Sequence, residues 1–356
     1  MPVNLGLAQL SNHFLIGTVV LYSLALLAYA GDFAFGRHPA KALVKATGSV
    51  AAEAQKPALV AAGVPAAAGP VAGTGGPAPA ADLPSVPGTP GPRDLTRASW
   101  LPAGRWLRVA LLLNGLGFAV HLTGVVIRGL AVHRVPWGDM YEFVTAVTCV
   151  AVLFFLALMI RYRAYYLGLF VMTPVLLALG IAETVIYTPA GPLVPALHSY
   201  WLAIHVTAMT LATGTFVVGA ALAVAYLLAD RYARRVADGR QSPAVGIFRL
   251  LPAPEVIDRF AYRTVMFAFP IWTFGIMAGA IWADEAWGRY WGWDPTETWA
   301  FITWVVYACF LHARATAGWR GRRAAYIQLI GFGCLLFNLM GVSIFITGLH
   351  SYAGLS

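Results

Sequence analysis

The chain has 356 residues, 59% of them hydrophobic and only 11% charged. A soluble domain carries nearer a quarter of its residues as charges, so this apolar excess has to face lipid, and a wholly soluble fold is excluded. The net charge of +9 raises a nucleic-acid partner, which the distribution of that charge argues against below.

Eight stretches are long and apolar enough to cross about 30 Å of hydrocarbon, near residues 13–30, 106–127, 141–160, 166–186, 201–228, 261–282, 295–312 and 326–347. They predict an all-α polytopic membrane protein of about eight transmembrane helices with both termini outside. The first stretch is not read as a cleaved signal peptide, because no Lys or Arg precedes it. Arg37, Lys41 and Lys45 follow it, which favours an outside N-terminus. From that start the cytoplasmic segments are 31–108, 161–165, 229–263 and 313–325. They hold 8, 2, 7 and 4 of the 24 basic residues, leaving only Arg128, Arg134 and Arg289 outside. Losing or adding one helix would scramble this sorting, so the positive charge marks the cytoplasmic side and no nucleic-acid surface.

The chain divides into a first transmembrane helix (1–38), a linker (39–98) and a seven-helix membrane domain (99–356). The linker run VPAAAGPVAGTGGPAPAADLPSVPGTPGP is built from Ala, Gly and Pro with almost no aromatic side chains. It cannot bury enough apolar area to offset its ordering entropy, and it is expected to be disordered on the cytoplasmic side. Cys149, Cys309 and Cys334 each lie inside an apolar segment and none forms a CxxC pair. They are expected to be small core residues, with no disulfide framework or zinc site.

Seven of the twelve tryptophans fall between positions 272 and 304, around the sequence WGRYWGWDPTETW that joins helices six and seven on the outer side. An interfacial belt would spread such rings over both membrane faces. Their compression into the loop 282–299 predicts a flat apolar shelf at the boundary, suited to a large flat hydrophobic ligand. Asp294, Pro295 and Glu297 fit an N-cap, a first-turn proline and a capping-box acid, which starts helix seven at Pro295. Gly288 and Gly292 are expected to supply the sharp turns between the rings.

The histidines select among flat ligands. His205, in SYWLAIHV, and His350, in ITGLHSYAG, arrive from different helices at the level of the tryptophan loop. That convergence favours axial ligation of haem over isolated structural roles. His312 lies 18 residues beyond Asp294, about 27 Å down the helix. It belongs near the cytoplasmic end, either as an interfacial polar residue or in a second, inner haem site. His198 is an alternative outer ligand, and His121 has a packing or proton-handling role. His13, His133 and His38 read as solvated. In VPWGDMYEF, Asp139 opens helix three with Glu142 in its first turn, a structural cap.

Taken together, WGRYWGWDPTETWAFITWVVYACFLHAR, PWGDMYEF, SYWLAIHV and GLHSY resemble the CcsA (ResC) family of cytochrome c assembly proteins, whose signature is a WWD-type tryptophan loop. The resemblance covers the chain from about residue 106 onward, with the first helix. It implies a haem-binding subunit of a cytochrome c synthase (haem lyase) that works with a CcsB (ResB)-like membrane partner in a bacterial plasma membrane. Haem b, as substrate and bound ligand, would pass from the cytoplasmic side and be displayed outside against Trp287, Trp291, Trp293, Asp294 and Trp299. His205 and His350 match the family's outer haem ligands, and His312 matches an inner ligand whose opposite axial ligand comes from the partner. An apocytochrome c carrying CxxCH, its thiols kept reduced by a thioredoxin-like protein, would then receive the haem. No separate catalytic nucleophile is expected. Competing readings are a haem transporter or chaperone and a b-type electron-transfer cytochrome. Family members usually carry Lys where this chain has Thr296, and Arg289 is the candidate to compensate.

Overall fold

A computed structural model of the chain describes residues 3–35, 104–192, 197–239, 248, 251–316 and 318–350. The expected linker 39–98 and His38 lie outside the described residues. Eight long helices follow one another: α1 (Leu5–Phe35), α2 (Arg105–Val132), α3 (Met140–Tyr162), α4 (Gly168–Thr184), α5 (Tyr200–Ala237), α6 (Pro254–Trp287), α7 (Pro295–Ala315) and α8 (Arg322–Leu336). A single 3₁₀ turn, Tyr165–Leu167, leads into α4. A π-helical turn, Phe337–Val342, and a last short helix, Ser343–Phe345, prolong α8. There is no strand among the described residues.

Each expected span falls within one helix and its immediate flanks. Seven helical segments are long and apolar enough to cross a membrane, with α8 counted through to Phe345. The eighth, α7, has 21 residues, about 32 Å at 1.5 Å per residue, but its threonines and tryptophans together with His312 and Arg314 dilute its apolar character. The protein is an integral membrane protein. Helices α5 and α6, with 38 and 34 residues, exceed the roughly 20 that hydrocarbon requires. Their surplus lies at one end, where α5 finishes on Arg234 and Arg235 and α6 begins at Pro254 with Glu255 in its first turn. We call this the basic side and the opposite end the loop side.

Helix α2 lies along α1, α5 along α6, and α8 against α7. One core joins α1–α6 around Tyr22, Tyr29, Phe155 and Leu222. A second joins α5–α8 around Phe216, Trp272, Tyr307 and Phe310. Helix α5 enters both cores, and most of its middle is buried. Of the three cysteines, Cys149 is buried and Cys334 half-buried, but Cys309 is exposed on α7 and corrects the expectation of three core thiols. Cys309 shares its outward face with Phe301, Val305 and His312, a stripe at helical spacing that no described helix covers.

Candidate functional site

The tryptophan loop ends as its sequence requires. The Asp294 side chain accepts the Thr296 N–H (3.2 Å), Glu297 reaches back to the Asp294 N–H (3.1 Å), and Pro295 occupies the first turn of α7. Glu297 also accepts the Gly292 N–H (2.9 Å) and pairs with Arg289 (3.3 Å). The turns are made differently from the expectation. Gly288 has φ +68° and ends α6, but the second left-handed residue is Trp293 (φ +58°), and Gly292 is not. Gly292 instead leaves room for the Arg289 guanidinium, which a β-carbon there would displace. Holding a bulky residue at positive φ costs on the order of 1–2 kcal/mol, here offset by the hydrogen bonds that Asp294 and Glu297 collect.

His350 is tied to this cap across 56 positions of sequence. Its Nδ1 lies 2.8 Å from Asp294 Oδ2, and the Leu349 N–H donates to Asp294 Oδ1 at 2.7 Å. A β-carbon at position 348 would stand 2.7 Å from the same carboxylate, so only glycine lets this chain segment approach. Burial alone would push the Asp294 carboxyl up. The bonds from His350, Leu349 and Thr296 outweigh it and hold the carboxyl below its ordinary value. His205, in the second turn of α5, places Nδ1 2.7 Å from the Gly275 carbonyl oxygen of α6. A carbonyl offers no proton, so the histidine must donate. Both histidines thus have Nδ1 held by a fixed acceptor, the arrangement that orients metal-binding imidazoles. Gly279 makes room for the His205 ring, because a β-carbon there would lie 2.6 Å from it.

Two adjoining cavities open between these groups, and His205 and His350 line both. The larger has about 880 Å³ of space, mouth included, and the smaller about 520 Å³. Trp282, 2% exposed, forms part of the wall of each. Its ring lies 13° from parallel with His205 at 6.2 Å and edge-on to His350 at 5.9 Å. Trp287 and Trp291 line the smaller cavity, and Trp287 also meets the His350 ring edge-on at 5.1 Å. Indole walls and two imidazoles anchored through Nδ1 are the kinds of group that hold a planar iron porphyrin.

The remaining expected site residues lie elsewhere. Trp293 is 64% exposed and packs against Trp291 and Phe301. Trp299 packs on Phe337 at 4.3 Å, and neither Trp293 nor Trp299 is among the residues that line the two cavities. Arg289 is bound to Glu297 and lies over Trp287, whereas Thr296 faces both cavities. His312 is exposed near the other end of α7, where its carbonyl accepts from Thr316. His198 lines a separate, adjoining cavity with Arg134. His121 is fully buried beside Tyr22.

Two contributors escaped the sequence. The loop before α3 supplies Trp137, Gly138 and Asp139 to the larger cavity. Asp139 does cap α3, accepting the Glu142 N–H at 2.8 Å. Burial, with the neighbouring Glu142 carboxylate, raises its pKa above the ordinary carboxylate value. Asn338, on the π turn, lines both cavities; it is 5% exposed and its Oδ1 has no partner among the described residues. A buried acceptor without a donor calls for one from whatever fills the cavity, and π turns recur at functional sites. The only hint in the sequence was an asparagine inside an apolar span.

Residues 137–350 match the family described as cytochrome C assembly protein. Cytochrome c biogenesis protein CcsA of Guillardia theta is 43% identical over 176 residues, covering 47% of this chain and 58% of that protein. CcsA of Trieres chinensis is 35% identical over 245 residues, covering 62% and 78%. CcsA of Synechococcus elongatus is 39% identical over 218 residues, covering 49% and 67%. The span matched to the family opens at Trp137 and closes at His350. It therefore contains every residue that walls the two cavities, and the chain belongs to the cytochrome c assembly protein family.

Proposed function

We propose that the chain is the haem-handling subunit of a cytochrome c synthase, which binds haem b as substrate and attaches it to apocytochrome c on the outer face of a bacterial plasma membrane. The observation that carries this reading is the pair His205 and His350. Each has Nδ1 fixed by an acceptor, and both face one indole-walled slot. The haem lies between the two imidazoles, with Trp282, Trp287 and Trp291 against its faces and edges. Attachment adds each CxxCH cysteine across one haem vinyl group. A C–S bond forms to one vinyl carbon and the thiol proton passes to the other, so nothing is oxidised or reduced. The protein contributes alignment and exclusion of water, which can supply several orders of magnitude in rate. The substrate's own histidine then takes over one axial position.

His312 serves an inner site completed by a CcsB (ResB)-like partner. Support comes from its exposure on the uncovered stripe of α7, where a second transmembrane helix can pack and present its own ligand. A thioredoxin-like protein keeps the apocytochrome thiols reduced. Coexpression of the chain with the partner and a CxxCH reporter tests the assignment. Covalent haem on the reporter should be lost on His205→Ala or His350→Ala at matched membrane abundance. Haem that copurifies but is never attached to any reporter would make the chain a carrier for another enzyme.

A further inference from the structure

Haem is polar at one edge only. Its two propionates lie opposite its two vinyl groups, so whichever end of the slot takes the carboxylates decides which end presents the vinyls. The two ends differ in charge. At one end the larger cavity adjoins a third cavity through shared walls at Trp137, Gly138 and Leu197, and Arg134 lines that third cavity. Arg134 (15% exposed in its side chain) and fully buried Arg128 share a single carboxylate, Glu142, at 2.6 and 3.1 Å. Asp139, a buried cap residue, and Glu183, which accepts the Tyr141 hydroxyl, lie near the same arginines. Arg134 Nε is buried without a hydrogen-bond partner among the described residues. At the other end the smaller cavity is lined by Glu297, whose charge Arg289 already matches, and Asp294 stands behind His350. One end therefore offers a guanidinium with an unpartnered N–H beside the cavity wall, and the other carries two carboxylates, Glu297 and Asp294, against the single guanidinium of Arg289.

We propose that Arg134 is a positioning residue that holds a haem carboxylate, so that the propionate edge lies at the Trp137 wall and the vinyl edge lies under Trp287 and Trp291. This rests on the haem reading of His205 and His350. A guanidinium with a spare N–H suits a carboxylate. The exposed His198 side of the third cavity leaves the second propionate in contact with water. Thr296, which faces both cavities, then needs no charge, because the anionic edge is turned away from it. The orientation also fixes the side from which cysteines approach, along the tryptophan loop.

The test compares haem with haem dimethyl ester, which has the same ring and vinyls but no carboxylates. Both are titrated into the purified full chain carrying His312→Ala, and binding is read from the Soret shift that His205 and His350 produce. Partitioning of the ester into detergent cancels when the haem-to-ester affinity ratio is compared between variants. Losing a charge-assisted bond should lower that ratio by roughly ten- to a hundredfold in Arg134→Gln, with ester affinity unchanged and part of the preference restored in Arg134→Lys. An unaltered ratio in Arg134→Gln overturns the proposal. So does an equal loss of haem and ester binding, which would make Arg134 a scaffold for Glu142. Absence of any Soret shift that depends on His205 and His350 would instead remove the haem reading itself, and the orientation with it.

Discussion

Asp294→Asn isolates the link between the tryptophan loop and His350. The carboxylate accepts three hydrogen bonds, from His350 Nδ1 (2.8 Å), Leu349 N–H (2.7 Å) and Thr296 N–H (3.2 Å). An asparagine offers one acceptor oxygen and turns an NH₂ group to the other side. If the oxygen serves His350 and Thr296, the amide opposes the Leu349 N–H; if it serves Leu349, the amide opposes His350. In either case a donor faces a donor in a largely buried place, at a cost of about 1–3 kcal/mol, or roughly 5- to 150-fold in an equilibrium constant. That overlaps the 10–100-fold typical of groups that orient a metal-bound histidine. Haem affinity at the His205–His350 site should fall by about that factor. Removing the anion behind the imidazole should also raise the haem reduction potential, because less negative charge favours the ferrous form. Both are measurable on the purified full chain with His312→Ala, by haem titration and by redox titration of the Soret band. If Asp294→Asn leaves affinity and potential at wild-type values while His350→Ala abolishes binding, the carboxylate does not orient the ligand.

Gly279→Ala, which puts a methyl group 2.6 Å from the His205 ring, should abolish the bis-histidine spectrum with little change in protein abundance; an unaltered spectrum would show that the ring lies elsewhere. His312→Ala should reduce the haem that copurifies with the partner complex without affecting membrane insertion, and imidazole in the medium should restore part of it. Unchanged haem content would reduce His312 to an interfacial polar residue. Asp139, with its raised pKa, keeps its proton in the folded state after the unfolded chain has lost it. Stability should therefore decline as pH rises from about 4, the ordinary carboxylate value, through the raised value. Thermal unfolding in detergent should show that slope flattened in Asp139→Asn, which preserves the cap, and an unflattened slope would assign it to another group.

The helices were legible because a membrane span announces itself by length and apolarity within one contiguous stretch. The Asp294–Pro295–Glu297 start of α7 was legible because a cap is a local hydrogen-bond pattern. Convergence is different in kind. His205 and His350 could be placed at one membrane level by counting turns, but their shared slot depends on how α5, α6 and α8 pack. The same limit hid where the other rings go: Trp293 and Trp299 belong to the same run as Trp287 and Trp291, yet the left-handed Trp293 and the turn of α7 send them to solvent and to Phe337. Trp137, Asp139 and Asn338 went unassigned because each looks, in its own segment, like a cap, an interfacial ring or a stray polar residue. Only the fold brings them to the cavity wall.

The π turn at Phe337–Val342 is an α-helix with one residue too many, taken up in a wider turn. The widening absorbs that residue, so the chain leaves α8 for Gly348 and His350 in nearly the direction of a regular helix one residue shorter. What the insertion changes is the turn itself, which carries Asn338 at the wall of both cavities. Deleting one residue here would close the turn into a regular helix and take Asn338 from that wall, while His350 stayed close to Asp294.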